Sequence, residues 1–492
     1  MPQGELAIVL HTHMPYVEGG MPWPVGGIAD HPVQLSRYLR NPEGFGTWPF
    51  GEEWLWEAIA TSYLPLLDVL DAGDGPAPLT LSLTPVLCDQ LEHPGAMARC
   101  EKFLRGIRPE SHRRDAAQLR AAGESDLAVE LERSAAEYAA AADRLAALEG
   151  GAGQGLLGAL AAHATWTSSA SHAVLPLIAT DGGLALQLRT GIASHRRRAG
   201  HWKGGLWLPE CAHAGWLAPA LARAGVRATC VELTPRLGLG DARHLRPLQP
   251  DEGPVLWPID RLTIDRVWGV GGYPSHPAYR DYHRYTTHRH RVWGIDGAPY
   301  DHTAALAQAR TDAARFLGAV RERVSGGGVC VCALDTELLG HWWYEGVAWL
   351  GEVLAQADYQ GVSLTTLDDA LERHPAATMP AEAVSPHATS WGEGGDLRTW
   401  SGPRAAPFAR RARSAELALA RRCGPVGERA LRELLALQAS DWAFLHHRDL
   451  SGAYPEERAA GHAAALSSAL ADDPAAAGQL RGLAPWLEGW SG

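Results

Sequence analysis

The sequence predicts an α/β protein built on a parallel barrel of the TIM type, with a helical insertion and a C-terminal helical domain. Three observations lead there. Short, continuously apolar runs alternate with helical stretches, the pattern of strands buried on both faces of a parallel sheet. A charged helical block interrupts this alternation over 90–149. From residue 403 onward only helical patterns remain.

The apolar runs are ELAIVL (5–10), LTLSL (79–83), GLWL (205–208), VRATCVEL (226–233) and GVCVCAL (328–334). Each is bounded by glycine, proline or polar residues and is rich enough in β-formers to read as a strand. Helical stretches such as 52–71 and 303–324 lie between them, so the barrel is assigned to 1–89 and 150–402. Within the insertion, Leu127, Leu131, Ala135, Tyr138, Ala142 and Leu145 recur at helical period and stop at Gly150-Gly151. Residues 234–300 are rich in Pro, Gly, His and Arg and show little periodicity, which predicts long loops over one face. In the C-terminal domain, 403–492, helices are expected at 408–422, 427–445 and 455–471.

Composition excludes several functions. Forty-four basic against 56 acidic residues leave a net charge of −12, which argues against a surface that tracks phosphates and so against a nucleic-acid partner. Lys102 and Lys203 are the only lysines, and neither sits in a P-loop. Seven cysteines without a C-x-x-C, two of them (Cys330, Cys332) inside an apolar run, read as a reduced protein. No basic leader follows Met1, and no apolar stretch reaches the roughly 18 residues of a membrane span, so the expected compartment is the cytoplasm, with no membrane partner. Nineteen tryptophans against 6 phenylalanines suit rings that stack on sugars, and equally suit packed rings.

In a parallel barrel the C-terminal strand ends converge on one face, where catalytic groups sit. The runs are followed there by His11 and His13, by Glu210 of GLWLPE and by Asp335 of CVCALDTE. Two carboxylates facing one sugar are what glycoside chemistry requires. Each also has a plain structural reading: Glu210 as a residue of a helical first turn, Asp335 as a helix cap. His11 and His13, two apart on a strand, face the same side. They fit either metal ligands of a hydrolase or deacetylase, or hydrogen-bonding groups for sugar hydroxyls. A metal needs further ligands from later strand ends. Only His341 stands within reach in the sequence, which favours the sugar reading.

The segments HTHMPY (11–16), WLPECA (207–212), LDTELLGHWWYEG (334–346) and TSWGEGGD (389–396) resemble the signature segments of glycoside hydrolase family 57. They are most similar to those of its 1,4-α-glucan branching enzymes. ATSYLPLL (60–67), SASHAVLPL (169–177), GGYPSHPAYRDYHR (271–284) and ELLALQASDWAFL (433–445) extend the resemblance over nearly the whole chain. It implies an incomplete (β/α)7 barrel and a retaining transglycosidase that cleaves α-1,4-glucan and passes the chain to a 6-hydroxyl, without cofactor or metal. The implied nucleophile is Glu210 and the implied acid/base Asp335. Substrate contacts are implied for His11, His13, His172, Trp268, Gly272, Trp391, Trp400 and Asp441. The stretch 235–258, where those enzymes carry a loop-tip tyrosine, contains none, which keeps amylase-like hydrolysis or 4-α-glucanotransfer as the alternative. Ile259-Asp260-Arg261 stands near the family's G-R-D, and His213 replaces a tyrosine. A retaining reaction requires carboxyls about 5–5.5 Å apart. Glu210 is expected to be ionised near its ordinary pKa of ~4.3, and Asp335 to be protonated through burial and a neighbouring charge.

Overall fold

A computed structural model describes residues 4–17, 52–73, 75–151, 155–422, 424–471 and 482–490. The readings made for Met1, for 18–51 as barrel, for Cys423 and for 472–481 lie outside the described residues.

One ten-stranded sheet organises the chain. Its strands are β1 (Glu5–Thr12), β2 (Thr80–Leu83), β3 (Ala164–Ser168), β4 (Gly205–Trp207), β5 (Ala228–Val231), β6 (Leu248–Gln249), β7 (Val255–Pro258), β8 (Val329–Asp335), β9 (Ser363–Leu364) and β10 (Ala377–Thr378). Seven run parallel in the order β8-β1-β2-β3-β4-β5-β7. Among the described residues β7 and β8 share no ladder. A backbone hydrogen bond from Asp260 N–H to Val331 O, 2.8 Å, links the end of β7 to β8, so the barrel is incomplete.

β1 forms because its residues suit burial on both faces: Leu6, Ile8, Val9 and Leu10 are all at most 1% exposed. Each such side chain contributes roughly 1.5–3 kcal/mol on burial. With β2 on one side and β8 on the other, β1 sets the register of the mouth, where His11 lies level with Ser82 and with Asp335. Beyond the ladder, Thr12 and Thr336 hydroxyls meet at 2.7 Å, fastening the two strand ends together.

Two of the seven parallel strands go unread in the sequence, as do the two-residue strands β6, β9 and β10. β3 (ATWTS) and β7 (VLWP) are short, and β7 ends on a proline, which is tolerated at a strand terminus but hides the strand from a composition scan. The expectation of long loops over 234–300 holds for 269–300, where one three-residue turn, Tyr273–Ser275, interrupts them, and is corrected for 234–268. The stretch contains short helices at Thr234–Leu237 and Ala242–Leu245, then β6 and β7, then the helix Arg261–Trp268 capped by Asp260.

The helix Ser125–Gly150 forms over the stripe read from its sequence, with Leu127, Leu131, Tyr138, Ala142 and Leu145 buried. Ala135 is half-buried, and Ser134 takes its place against the core. The helix expected at 427–445 is instead two, Glu428–Leu437 and Ser440–His447, broken where Ala439 turns extended (φ −54°, ψ 135°). Ala439 forms a β-bridge to Ala173, and that tertiary pairing overrides a locally continuous helical pattern. Leu431, Leu434 and Leu435 pack against Tyr16, Val86, Ala170 and Leu186, which seats the C-terminal helices on the barrel. No helix among the described residues is long and apolar enough to cross a membrane.

Candidate active site

Glu210 sits three residues beyond β4, after Pro209, in left-handed backbone geometry (φ 63°, ψ 20°). Cys211 (φ 49°) and His172 (φ 58°) share that region. For residues other than glycine this costs of order 1–3 kcal/mol each and persists only where neighbours over-determine it. They do so here. The 389–391 segment pairs with 210–213: Trp391 N–H donates to Glu210 O (3.0 Å), and His213 and Thr389 exchange two backbone bonds of 2.9 Å. Ser440 N–H donates to His172 O at 3.1 Å.

The side chains then converge. Trp391 Nε1–H donates to Glu210 Oε2 at 2.8 Å, and Ser440 Oγ–H to Glu210 Oε1 at 3.1 Å. Ser440 Oγ lies 2.8 Å from His172 Nδ1, and His172 Nε2 lies 2.9 Å from His11 Nε2. Burial, reinforced by neighbouring histidines, holds the His11 and His172 pKa values well below the ordinary imidazole range, so both rings are neutral at neutral pH. With one proton per ring, one pattern satisfies the chain: His11 Nε2–H donates to His172, His172 Nδ1–H to Ser440, and Ser440 to Glu210. His13 Nε2 reaches Asp441 Oδ1 at 2.9 Å. Trp207, His11, His172 and His13 form a run of stacked rings, with centroid separations of 4.7, 4.9 and 3.9 Å.

The carboxyls are strongly perturbed. Burial raises Glu210 to about 7, against the stabilising donors Trp391 and Ser440 and with help from the Asp441 charge. The expectation of an ordinary carboxylate pKa at Glu210 is thereby corrected, because burial outweighs two hydrogen bonds. Asp335, accessible at the tip of β8 yet surrounded by protein mass, is also raised to about 7, by burial first and then by Glu210, while His13 opposes. Glu337 is pushed up to about 8 by burial. Its Oε1 accepts from Tyr63 Oη–H (2.6 Å) and His13 N–H (3.1 Å).

Of the residues singled out in the sequence, His11, His13, His172, Glu210, Trp391 and Asp441 form one connected cluster, and Asp335 feels the Glu210 charge. Trp400 is only 2% exposed, packed so closely over Gly392 that a Cβ there would lie 2.6 Å from the indole; it supports the Trp391 loop from within, correcting its reading as a substrate contact. Gly272 is a glycine for local reasons, since a Cβ would meet Val267 O at 2.7 Å. Trp268 is 55% exposed at the end of its helix, with no bond or ring contact to the cluster among the described residues. His341 is buried beside Arg291 rather than near His11.

Sequence reasoning missed Ser440, Glu337 and Tyr63. It noted Arg261 only as a displaced residue. Arg261 is anchored to buried Glu232 (3.0 Å) and donates to Trp391 O at 3.1 Å, holding the tryptophan over Glu210.

His13, His172 and Asp441 have ligating atoms within 4.8 Å of one another. Three of the four ring nitrogens are already committed, to Asp441, His11 and Ser440. The His13 and His172 rings lie face to face, 15° apart, so their in-plane lone pairs run side by side. The group fits a hydrogen-bonding wall better than a metal cage.

Fold and site together define an α/β-barrel enzyme with acidic groups gathered at its strand ends. The glycosyl hydrolase family 57 profile matches residues 165–383. The chain is 32% identical to a probable 1,4-alpha-glucan branching enzyme of Mycobacterium tuberculosis, over 99% of its own length and 95% of that protein's. It is 27% identical to the 1,4-alpha-glucan branching enzyme of Thermococcus kodakarensis, over 94% and 72% respectively. The GH57-type branching enzyme structure of Pyrococcus horikoshii superposes with a TM-score of 0.80 at 27% identity, covering 95% of this chain and 90% of that one. The alpha-amylase AmyC of Thermotoga maritima shares the fold (TM-score 0.73, 22% identity, 96% and 93% covered). The chain belongs to glycosyl hydrolase family 57.

Proposed function

We propose that this enzyme is a retaining α-glucan transglycosidase that cleaves α-1,4-glucan and transfers the chain to a 6-hydroxyl, with Glu210 as nucleophile and Asp335 as acid/base. The observation that carries the reading is the asymmetry of hydrogen bonding between two carboxyls of similar pKa. Glu210 accepts from Trp391 and Ser440, which favours its ionised form. Asp335, which receives no such donor in the hydrogen bonds described, keeps the shared proton. One group is thus prepared to attack the anomeric carbon and the other to protonate the leaving oxygen.

Attack converts Glu210 into a neutral ester. The charge that raised Asp335 is gone, its pKa falls, and it takes the proton of the incoming hydroxyl. His11, His13 and His172 line the same site as neutral or carboxylate-paired rings, suited to the sugar hydroxyls, with Trp391 as a ring for the sugar face. The branching relatives support transfer to a 6-hydroxyl on an amylose- or glycogen-like acceptor. The missing tyrosine in 235–258, a stretch that here folds into β7 and its approach, favours hydrolysis as the second reading. Incubation with amylose, counting new α-1,6 branch points against new reducing ends, separates the two. Branch points in excess support transfer, and reducing ends alone refute it. Glu210→Gln is expected to abolish both while glucan binding survives.

A further inference from the structure

A second cavity, of about 460 Å3, lies apart from Glu210 and Asp335, between the helix Ser125–Gly150, the helix Leu64–Leu70, the 280–302 segment and the 340–348 segment. One part of its wall is apolar (Leu64, Val69, Ala141, Val347) and another is rich in arginine.

The charges there do not balance. Arg108 is paired with Glu57 at 2.6 Å, Arg144 with Asp68 at 3.2 Å and Arg280 with Glu130 at 2.5 Å. Glu137 is held by Arg133 at 2.6 Å. Glu345 accepts the Arg280 backbone N–H at 3.1 Å and faces the Arg280 charge, while burial raises its pKa. Arg289 and Arg291 also line the cavity and have no carboxylate partner among the described residues. Arg289 lies over the Tyr285 ring at 4.8 Å. Arg291 lies over the Tyr282 ring at 3.7 Å and donates to His341 O at 3.0 Å. Burial lowers its pKa, against Tyr282, Tyr138 and Glu57 nearby, of which Glu57 is already paired with Arg108. Both arginines are half-buried, and with no carboxylate of the described residues within ion-pair distance they open onto the cavity.

We propose that this cavity is a second binding site, for a monosaccharide-sized organic phosphate whose phosphate group is held by Arg289 and Arg291. Two guanidinium groups without an ion-paired carboxylate suit a group carrying about −1.5 to −2 at neutral pH, and planar guanidinium forks bind phosphate oxygens bidentately. Inorganic phosphate alone leaves most of the volume empty, whereas cavities of about 300–1,000 Å3 hold organic ligands. The apolar wall then meets the sugar's carbon face. With a net charge of −12 the chain as a whole repels anions, so binding depends on these two side chains.

Calorimetric titration of the full chain with glucose 6-phosphate, inorganic phosphate and maltoheptaose at low ionic strength tests this. The expected result is one glucose 6-phosphate per chain with a dissociation constant below about 1 mM, tighter than inorganic phosphate. Arg291→Gln and Arg289→Gln are each expected to weaken it roughly tenfold or more, with maltoheptaose binding unchanged. If Arg291→Gln fails to fold, Arg289→Gln, half-buried at the cavity wall, carries the comparison. Three results overturn the proposal: no binding of glucose 6-phosphate, equal affinity for inorganic phosphate, or folded variants that bind as tightly as the native chain.

Discussion

Replacing Trp391 with phenylalanine removes a single hydrogen bond while leaving most of the ring in place. The backbone bond from residue 391 N–H to Glu210 O persists, as does the Arg261 donation to the carbonyl of residue 391. What is lost is the 2.8 Å bond from the indole N–H to Glu210 Oε2. A hydrogen bond to a charged group is worth roughly 1.5–3 kcal/mol, and about 1.4 kcal/mol corresponds to one pH unit of titration. Glu210, already raised to about 7 by burial, is therefore expected to titrate about one to two pH units higher in Trp391→Phe. The sign follows from the chemistry. The nucleophile acts as the anion, so raising its pKa moves the acid limb of the rate profile upward and lowers activity at neutral pH about tenfold or more. The assay is the pH dependence of kcat/KM on a soluble maltooligosaccharide from about pH 5 to 9. Because Glu210 and Asp335 interact, the limbs report apparent values of the pair. An acid limb that stays in place while the variant remains folded and binds glucan refutes the reasoning.

Other consequences follow from the same contacts. Ser440→Ala removes the second donor to Glu210 and severs it from His172, so kcat is expected to fall about tenfold with KM nearly unchanged, as steady-state kinetics on amylose will show. Trp400→Phe is expected to leave glucan affinity within about twofold, because the ring is buried, whereas Trp268→Ala tests an exposed ring and is expected to raise KM for long chains without moving the melting temperature. Leu434→Ala opens a hole where the C-terminal helices meet the barrel and is expected to cost about 2–5 kcal/mol in denaturant unfolding. Since Ser440 and Asp441 ride on those helices, activity is expected to fall along with stability.

What the sequence reveals depends on how local each cause is. β1 and β8 are legible because both faces are buried and the runs are apolar throughout, and their parallel register then puts His11 beside Asp335. The stripe of the helix Ser125–Gly150 is legible for the same reason. β3 and β7 are not, since four or five residues with threonine, tryptophan or a terminal proline become strands through their neighbours. The break at Ala439 is set by a bridge to Ala173, far away in the chain. Ser440 therefore reads as an ordinary helical serine, although the break delivers it to Glu210. Trp391 and Trp400 look equivalent in sequence, and only packing turns one to the carboxylate and the other inward. Glu337, adjoining Asp335 in DTE, reads as part of a helix start but accepts bonds from Tyr63 and His13. The raised pKa of Glu210 is a property of its burial by several elements, which no single segment carries.

The most direct measurement is to trap the glycosyl-enzyme with a 5-fluoro-α-glucosyl fluoride and map the labelled peptide by mass spectrometry. Attachment of the sugar to Glu210 is the expected result, with the label accumulating further in Asp335→Ala. A label on any other residue, or product released with inverted anomeric configuration, contradicts the assignment of the two carboxyls.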